Sequence, residues 1–429
     1  MTVRPAATAP GPGPSRRSLL LAVLAGTGAL AAGCDRPAAT DSAQERRKIV
    51  FATWGLGNER PATKSAVRKF EQQNPDIEVD IRFLDANSTR AFEQLARLFK
   101  GGAAPDLLTL DVIWPASFAQ DGRLLGLDRF RPDMTRFVPA QVQAGTYDGQ
   151  VFAIPWFINA EGLYYRTDLV PEPPRSPAEV VDFAHQAMRR DASLRSGFAF
   201  AGAQFEGLVT VFLNVVGGFG GQIDPMHLQT PETLAALTYL SDAVLHNGIA
   251  PAAVQQWQEQ QVADEFLSGR AVFAMNWPYV FEHAERPGSK VRGKTGWIPF
   301  PAGDHAPTAA LGGSMLAIAA SSRQAEASWR LIDFLTSGPV QVERAVAAGD
   351  PPSLPSAYTD QLIARAPQFG RQRAVFQCVT PRPVVPNYLE VSALLQTMLS
   401  TVLAGKQTPA AALAATSIKL VAMKAGAGA

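Results

Sequence analysis

The chain has 429 residues, of which 47% are hydrophobic and 18% are charged, and its formal net charge is +1. This length exceeds what one hydrophobic core supports, so two or three domains are expected, and the composition is that of a globular protein. Residues 1–33 contain three arginines and no acid, so removing them lowers the net charge to −2. No basic field remains to bind nucleic acid, which excludes that class of partner.

The N-terminal 33 residues have the pattern of a signal peptide. Arg16 and Arg17 precede an uncharged run that is shorter than the roughly 20 residues needed to span a bilayer. The arginine pair resembles a twin-arginine export signal, and the stretch "AAGC" resembles the lipobox of bacterial lipoproteins, which lipidates the cysteine, here Cys34. Residues 34–47 then form a polar tether. The chain is expected to be exported and anchored to the outer face of the cell membrane or periplasmic; the alternative is a cleaved signal and a soluble secreted protein.

The first folded segment alternates between strand and helix patterns. Buried strands are predicted at 48–54 and 105–111, where short apolar runs end at turn residues, and an alternating strand is predicted at 77–84. Amphipathic helices are predicted at 61–75 and 89–102, which end at Asn-Pro and Gly-Gly. This order predicts a doubly wound α/β lobe.

Further helices and strands are predicted in the rest of the chain from the same signals. The helices are expected at 176–190, 230–248 and 324–338, and the strands at 270–277, 294–301 and 314–320.

Motifs for nucleotide, metal or nucleophilic chemistry do not occur in the sequence. Walker A, HExxH and GxSxG patterns are absent, and the five histidines have no metal-ligand spacing. The glycine-rich stretch 217–222 lacks GxGxxG spacing and is interpreted as the end of a helix. No catalytic residue, cofactor or metal ion is expected.

Aromatic and polar residues instead recur beside chain breakers at the predicted strand ends. They include Trp54, Glu59, Asp111, Trp114, Trp156, Phe157, Asn159, Phe205, Glu206, Trp277, Tyr279, Gly312, Gly313 and Ser314. Ligands of α/β proteins bind beyond the carboxyl ends of strands. Aromatic rings cover the apolar faces of a sugar, and charged acceptors hold its hydroxyl groups through bonds worth about 1.5–3 kcal/mol.

A single arginine, Arg382, lies between two prolines ahead of an apolar helix-like run. Each candidate also has an ordinary structural interpretation when it is taken alone. Arg382 could form a surface salt bridge, Asp111 could cap the next helix, and a tryptophan is more often core than ligand contact. Only the cluster as a whole favours a binding site.

These motifs carry a resemblance to a known family. "LDVIWPASFAQDGRLLGLDRF", "LYYRTDLV", "QFEGLVTVFLNVVGGFGG", "NWPYVF", "LGGSMLAI" and "TPRPVVPNYLEVS" occur in family order. The chain from about residue 48 to 424 resembles the extracellular solute-binding proteins of ABC sugar importers, most of all the trehalose/maltose-binding branch. The resemblance implies an α/β, two-lobed periplasmic-binding-protein fold of type II, like maltose-binding protein, with three interlobe crossings.

The same resemblance implies how the chain divides between the lobes. The N-lobe is expected at 48–157 plus 310–352, and the C-lobe at 158–309 plus 353–424. The third crossing is then the proline-rich stretch "DPPSLPS".

The resemblance also assigns ligand-binding residues. They are Glu59, Arg90, Asp111, Asn159, Glu206, Trp277, Tyr279, Gly312, Gly313 and Arg382. Trp277 is the implied sugar platform, and Arg382, framed by prolines, reaches the disaccharide from the second lobe. Asn159 stands where the family often has Asp. Ser314 stands where close relatives have Trp, which implies a roomier subsite or a different sugar.

The resemblance therefore implies a monomeric, lipid-anchored binding subunit without enzyme activity. It would capture an oligosaccharide, an α-linked disaccharide such as trehalose or maltose, by lobe closure and deliver it to the transmembrane subunits of an ABC permease. Two alternatives stay open. One is a binder of the same fold for another solute, such as a sugar alcohol, glycerol phosphodiester or larger glycan. The other is a glycoside hydrolase with Glu59 and Asp111 as its carboxylate pair.

Overall fold

The computed structural model describes residues 46–55, 58–85 and 88–427. The predicted signal peptide, Cys34 and nearly all of the tether lie outside these residues. The described chain belongs to one compact unit. Within it, no helix combines the length and the apolar composition that a membrane crossing requires.

Strands and helices alternate along the described chain. The strands are β1 (Arg47–Thr53), β2 (Ile77–Phe83), β3 (Leu107–Asp111), β4 (Thr146–Tyr147), β5 (Gln150–Val151), β6 (Ile154–Arg166), β7 (Ser196–Ala199), β8 (Ala271–Asn276), β9 (Thr295–Ile298), β10 (Ala309–Ile318) and β11 (Val379–Thr380). The helices are α1 (Glu59–Gln73), α2 (Ser88–Lys100), α3 (Pro115–Gln120), α4 (Pro139–Ala144), α5 (Pro177–Arg190), α6 (Glu206–Gly218), α7 (Pro231–Leu245), α8 (Glu259–Leu267), α9 (Tyr279–Ala284), α10 (Ala325–Leu335), α11 (Gly338–Ala348), α12 (Asp360–Arg365), α13 (Gln368–Phe376), α14 (Tyr388–Leu403) and α15 (Pro409–Ala427).

One large mixed sheet organises these elements. Its strand order is β2-β1-β3-β10-β6-β8-β7, with β11 paired to β10 and β9 paired to β6. β1 runs parallel to both β2 and β3, as a doubly wound lobe requires, so that prediction is confirmed. β10 is antiparallel to β3 and to β6, and β6 is antiparallel to β8 and β9.

Three stretches of chain lie side by side at the centre of the sheet. They are β10, β6 and a third stretch, which contains Pro351 and Pro352. The first part of β6 pairs with β10, and its last residues pair with β8 and β9. The third stretch reaches β6 through the Ile158 main-chain N–H, which donates to the Pro351 oxygen at 2.9 Å, and through a bridge between Phe157 and Pro352. The lobe boundaries expected from the sequence fall at these three stretches. The division into lobes at those residues stays a prediction.

The predicted helices form where capping residues and apolar spacing agree. Ser176 caps α5 by accepting from the Glu179 N–H, and Thr230 caps α7 in a reciprocal capping box with Thr233. Both helices begin with proline at the first position, where its missing N–H costs nothing. Helix α6 is apolar on nearly every face and is accordingly buried from Gly207 to its end.

The strand predicted at 314–320 was placed too late. β10 begins at Ala309 and carries Gly312 and Gly313 inside it. Gly313 has a φ of 109°, a conformation that other residues rarely adopt. The strand continues through the pair because both glycines stay paired with β6, and β3 pairs with the strand from Ser314 onward.

Candidate ligand-binding site

Arg382 is the centre of a buried ion cluster. Its side chain is only 4% exposed, and its Nη1 donates to Glu206 Oε1 at 2.7 Å. Nη2 donates to the main-chain oxygen of Leu311 at 3.2 Å and lies 3.6 Å from Asp111 Oδ1. The arginine thereby joins α6, β10 and the end of β3. The interpretation of Arg382 as a surface salt bridge is wrong, because the group is buried.

Glu206 is held by donors from a second direction. Tyr388 Oη donates to Glu206 Oε1 at 2.6 Å, and Ser392 Oγ donates to Oε2. Tyr388 and Ser392 are four residues apart on α14, so they lie on the same helical face. The helix that follows the Pro-Arg-Pro segment therefore positions Glu206, the carboxylate that pairs with Arg382.

Burial and charge act in opposite directions on Asp111 and Arg382. Burial raises the pKa of the Asp111 carboxyl, and the Arg382 charge partly offsets this. Burial lowers the pKa of Arg382, but the carboxylates of Glu206 and Asp111 raise it more, so the guanidinium stays charged.

Asp111 does not cap the helix that follows it. The N-cap of α3 is Trp114, which makes no side-chain cap bond, and Asp111 Oδ1 instead accepts from the Ile113 N–H at 3.3 Å. The helix-cap interpretation of Asp111 is therefore wrong. Its carboxylate is left facing Arg382.

Trp277 lies directly over the backbone of β10. A Cβ atom on Gly312 would come within 2.7 Å of Trp277 Cζ3 and within 3.3 Å of Asn159 Cβ. Asn159 is opposite Gly312 in the β6–β10 register. A Cβ atom on Gly313 would lie 2.3 Å from the Phe157 oxygen. Because Gly312 has no side chain, Trp277 and Asn159 can both lie close to the same short stretch of β10.

The main chain around Trp277 is fixed by hydrogen bonds. Its N–H donates to Asn276 Oδ1 at 2.8 Å, and its oxygen accepts from Tyr164 Oη at 2.9 Å. Tyr279, which begins α9 and is 37% exposed, donates from Oη to the Glu259 main-chain oxygen at 3.2 Å. Both aromatic candidates are therefore anchored at the carboxyl end of β8.

Two predicted site residues are tied to other partners. The Arg90 side chain is 65% exposed, and its Nε lies 2.9 Å from Asp85 Oδ2. Burial raises the pKa of the Asp350 carboxyl, while the charge of Arg344, whose Nη2 lies 2.7 Å from Asp350 Oδ2, and hydrogen bonding with Glu59, the first residue of α1, lower it. Glu59 is thereby linked to the third central stretch of chain.

Several of the aromatic candidates are core residues. Trp114 and Trp156 are buried, and Trp114 packs edge-on against Trp54 with ring centroids 5.1 Å apart. Ser314 is also buried, opposite Asp111 in the β3–β10 register.

Sequence reasoning missed other polar residues of this region. Glu161 is fully buried, and its Oε2 accepts from Asn214 Nδ2 at 2.8 Å. Glu259 adjoins Trp277 and Tyr279. One signal was available, since an acidic residue inside the apolar stretch "IPWFINAEGLYYR" requires a buried partner.

Comparison with known sequences identifies the family. Residues 56–342 match the family model described as bacterial extracellular solute-binding protein. A Deinococcus radiodurans protein described as a probable ABC transporter-binding protein is 32% identical over 328 residues, which are 72% of this chain and 77% of that protein. The maltotriose-binding protein of Pyrococcus abyssi is 24% identical over 72% of this chain and 67% of its own length.

Solved structures show the same architecture. Maltose-bound MalE3 of T. maritima has a TM-score of 0.76 and 34% identity, covering 87% of this chain and 98% of its own. The cyclic α-maltosyl-1,6-maltose-binding protein of Arthrobacter globiformis has a TM-score of 0.75 and 20% identity over 88% of this chain and 98% of its own, which shows likeness of fold alone. The expected two-lobed α/β fold of type II, like maltose-binding protein, is confirmed. The chain belongs to the bacterial extracellular solute-binding protein family.

Proposed function

We propose that this protein is the sugar-binding subunit of an ABC importer. It captures an α-linked disaccharide such as maltose or trehalose and passes it to the transmembrane permease, without breaking any bond. The observation that carries the proposal is the buried Arg382, which faces Asp111 and Glu206 beside a Trp277 ring lying on Gly312. The 34% identity to a protein whose structure was solved with maltose supports the choice of sugar class.

The chemistry of the cluster suits sugar hydroxyl groups. Among the described residues, Arg382 Nε is buried and has no hydrogen-bond partner, and such a donor costs about 1–3 kcal/mol. A sugar oxygen that reaches this atom recovers that cost. Carboxylates such as Asp111 accept hydrogen bonds from hydroxyl groups, and the Trp277 ring covers the apolar face of a pyranose.

The charge balance favours a neutral ligand. Arg382 is the cation at the centre of the cluster, and Glu206 and Asp111 already oppose its charge. A phosphate group placed there meets two carboxylates, which repel it. A sugar or sugar alcohol meets only hydrogen-bonding groups.

The alternative of a glycoside hydrolase needs two cooperating carboxyl groups. The pair considered for that role, Glu59 and Asp111, is engaged with different partners, since Glu59 bonds to Asp350 and Asp111 faces Arg382. This arrangement supports binding over hydrolysis.

The proposal includes a cellular setting and a motion. The subunit is monomeric and held at the membrane by a lipid on Cys34. Ligand contacts both lobes only when they are closed, so binding shifts the population toward the closed form, which the permease receives.

Calorimetric titration of the purified protein tests this function. Maltose, trehalose, sucrose, ribitol and glycerol 3-phosphate are compared, and we expect micromolar binding of at least one α-linked disaccharide. Arg382→Ala should weaken that binding by about 100-fold or more, because it leaves two partly buried carboxylates without their cation. Arg286→Ala, which removes an exposed arginine paired with Glu282, is the matched control and should bind normally.

Two results would contradict the proposal. Binding of glycerol 3-phosphate in preference to every sugar would move the protein to another solute class. Release of monosaccharide from a disaccharide incubated with the protein, and its loss in Asp111→Asn, would establish the hydrolase alternative.

A further inference from the structure

Glu259, the first residue of α8, connects both aromatic residues at the end of β8. Its main-chain oxygen accepts from Asn276 Nδ2 at 2.8 Å and from Tyr279 Oη at 3.2 Å. Asn276 Oδ1 in turn accepts the Trp277 main-chain N–H at 2.8 Å. The start of α8 therefore braces the backbone that carries Trp277.

The side chain of Glu259 reaches the same place. Its Oε1 lies so close to α6 that a Cβ atom on Gly207 would come within 2.8 Å of it. Burial raises the pKa of the Glu259 carboxyl, and hydrogen bonding to the side chain of Trp277, whose one donor is the indole N–H, acts in the opposite direction. The Glu259 side chain thus lies between the start of α6 and the Trp277 ring.

The ring of Trp277 needs such a contact to keep one orientation. The Gly312 backbone supports one part of the ring, and the hydrogen bonds of Asn276 and Tyr164 fix only the main chain. Rotation about the bond between Cβ and the ring is broad and weakly preferred in aromatic residues. A hydrogen bond at the ring nitrogen selects one rotamer, as supporting residues do for other binding groups.

We propose that Glu259 is a positioning residue that holds the Trp277 indole in the orientation from which it stacks on the bound sugar. The proposal rests on the proposed function for its sugar, but the orientation itself belongs to the protein alone. It predicts that Glu259 acts on ligand affinity through Trp277 and not by touching the ligand.

A double-mutant cycle separates these two roles. Glu259→Leu removes the acceptor, Glu259→Gln keeps an acceptor oxygen of the same reach, and Trp277→Phe keeps a ring without its N–H. We expect Glu259→Leu to weaken sugar binding by about 10-fold and Glu259→Gln by less than about 3-fold. In the Trp277→Phe background, Glu259→Leu should weaken sugar binding further by less than about 2-fold.

A second measurement does not depend on any ligand. In protein with ¹⁵N-labelled tryptophan, the indole resonance that disappears in Trp277→Phe belongs to Trp277. We expect that resonance to shift in Glu259→Leu and to stay near its wild-type position in Glu259→Gln. Glu326→Leu, which removes an exposed acid from the first turn of α10, is the matched control and should leave the resonance unchanged.

The outcomes distinguish this inference from the proposed function. An undiminished loss of affinity from Glu259→Leu in the Trp277→Phe background, or an indole resonance unmoved by Glu259→Leu, would overturn the positioning role. Failure of the wild-type protein to bind any sugar would instead remove the proposed function, and the indole resonance would still decide whether Glu259 holds the ring.

Discussion

Glu161 is a carboxyl group in the middle of the central sheet. Its Oε2 accepts from Asn214 Nδ2 at 2.8 Å, and Asn214 Oδ1 accepts the Ala310 N–H at 2.8 Å, so the pair links β6, α6 and β10. Burial raises the pKa of Glu161 to about 8, helped by the charge of Glu259 and opposed by hydrogen bonds and by Arg382. The group is therefore mostly neutral at pH 7, which is how the core accommodates it.

The raised pKa of Glu161 makes stability depend on pH. Between its ordinary value near 4.5 and its folded value near 8, the folded state keeps the proton and the unfolded state releases it. The stabilisation is thus full below pH 4.5 and is lost as pH rises to 8, by on the order of 4 kcal/mol. We expect the free energy of unfolding of Glu161→Gln, relative to wild type, to rise by this order between pH 5 and pH 9 in urea titrations.

The control for that comparison is the same substitution at an exposed glutamate. Glu390→Gln changes an exposed residue in the first turn of α14 and should keep a constant offset from wild type across the same pH range. An equally constant offset for Glu161→Gln would show that Glu161 ionises near its ordinary pKa and would refute the prediction.

At the scale of elements, β10 is the strand on which the site depends. Gly313→Ala places a Cβ atom 2.3 Å from the Phe157 oxygen at a φ of 109°, so we expect the free energy of unfolding to fall by about 2 kcal/mol or more.

Gly312→Ala places a Cβ atom 2.7 Å from the Trp277 ring, and this ring, unlike a backbone oxygen, can move away. We expect that variant to lose about 10-fold in sugar affinity with a smaller loss of stability.

Urea denaturation and calorimetry of the two glycine variants measure these effects. Gly338→Ala is the control, since a Cβ atom there meets nothing within 4 Å, and it should match wild type within about 0.5 kcal/mol. If Gly312→Ala binds sugar as tightly as wild type, the close approach of Trp277 to β10 has no part in recognition.

Local signals predicted the ranges of many strands and helices but not the contacts between them. Caps and apolar spacing placed α5 and α7, because these determinants lie within a few residues of each other. The start of β10 was missed because its glycines are explained only by the neighbouring Trp277 and Phe157. Motifs brought Arg382 to attention, yet its partners on α6 and β3 lie far away in sequence, and nothing local marks Glu259 as a neighbour of Trp277. The ligand roles of these residues stay predictions.

At the scale of the whole molecule, the third central stretch, which contains Pro351 and Pro352, begins beside a buried ion pair between Arg344 and Asp350. Arg344 is buried, with Nη2 2.7 Å from Asp350 Oδ2 and Nη1 donating to Thr63 Oγ1 at 2.9 Å. Its guanidinium also lies 4.1 Å from the ring centroid of Trp156. These contacts tie α11, α1 and β6 together on one side of the sheet. We therefore expect the proposed motion of the lobes to take place beyond this point, in the chain that follows Asp350.

The proposed closure predicts two linked effects of sugar on the molecule. Arg382 contacts Asp111 on β3 and Glu206 on α6, so a ligand in this cluster joins the parts of the fold that carry them. Saturation with sugar should lower the radius of gyration in small-angle scattering. At a free concentration 100-fold above Kd it should also raise the free energy of unfolding by about 2.7 kcal/mol. Arg382→Ala should show neither effect at the same concentration. A sugar that stabilises the wild-type protein without reducing its radius of gyration would bind without closure, and delivery to a permease would need another signal.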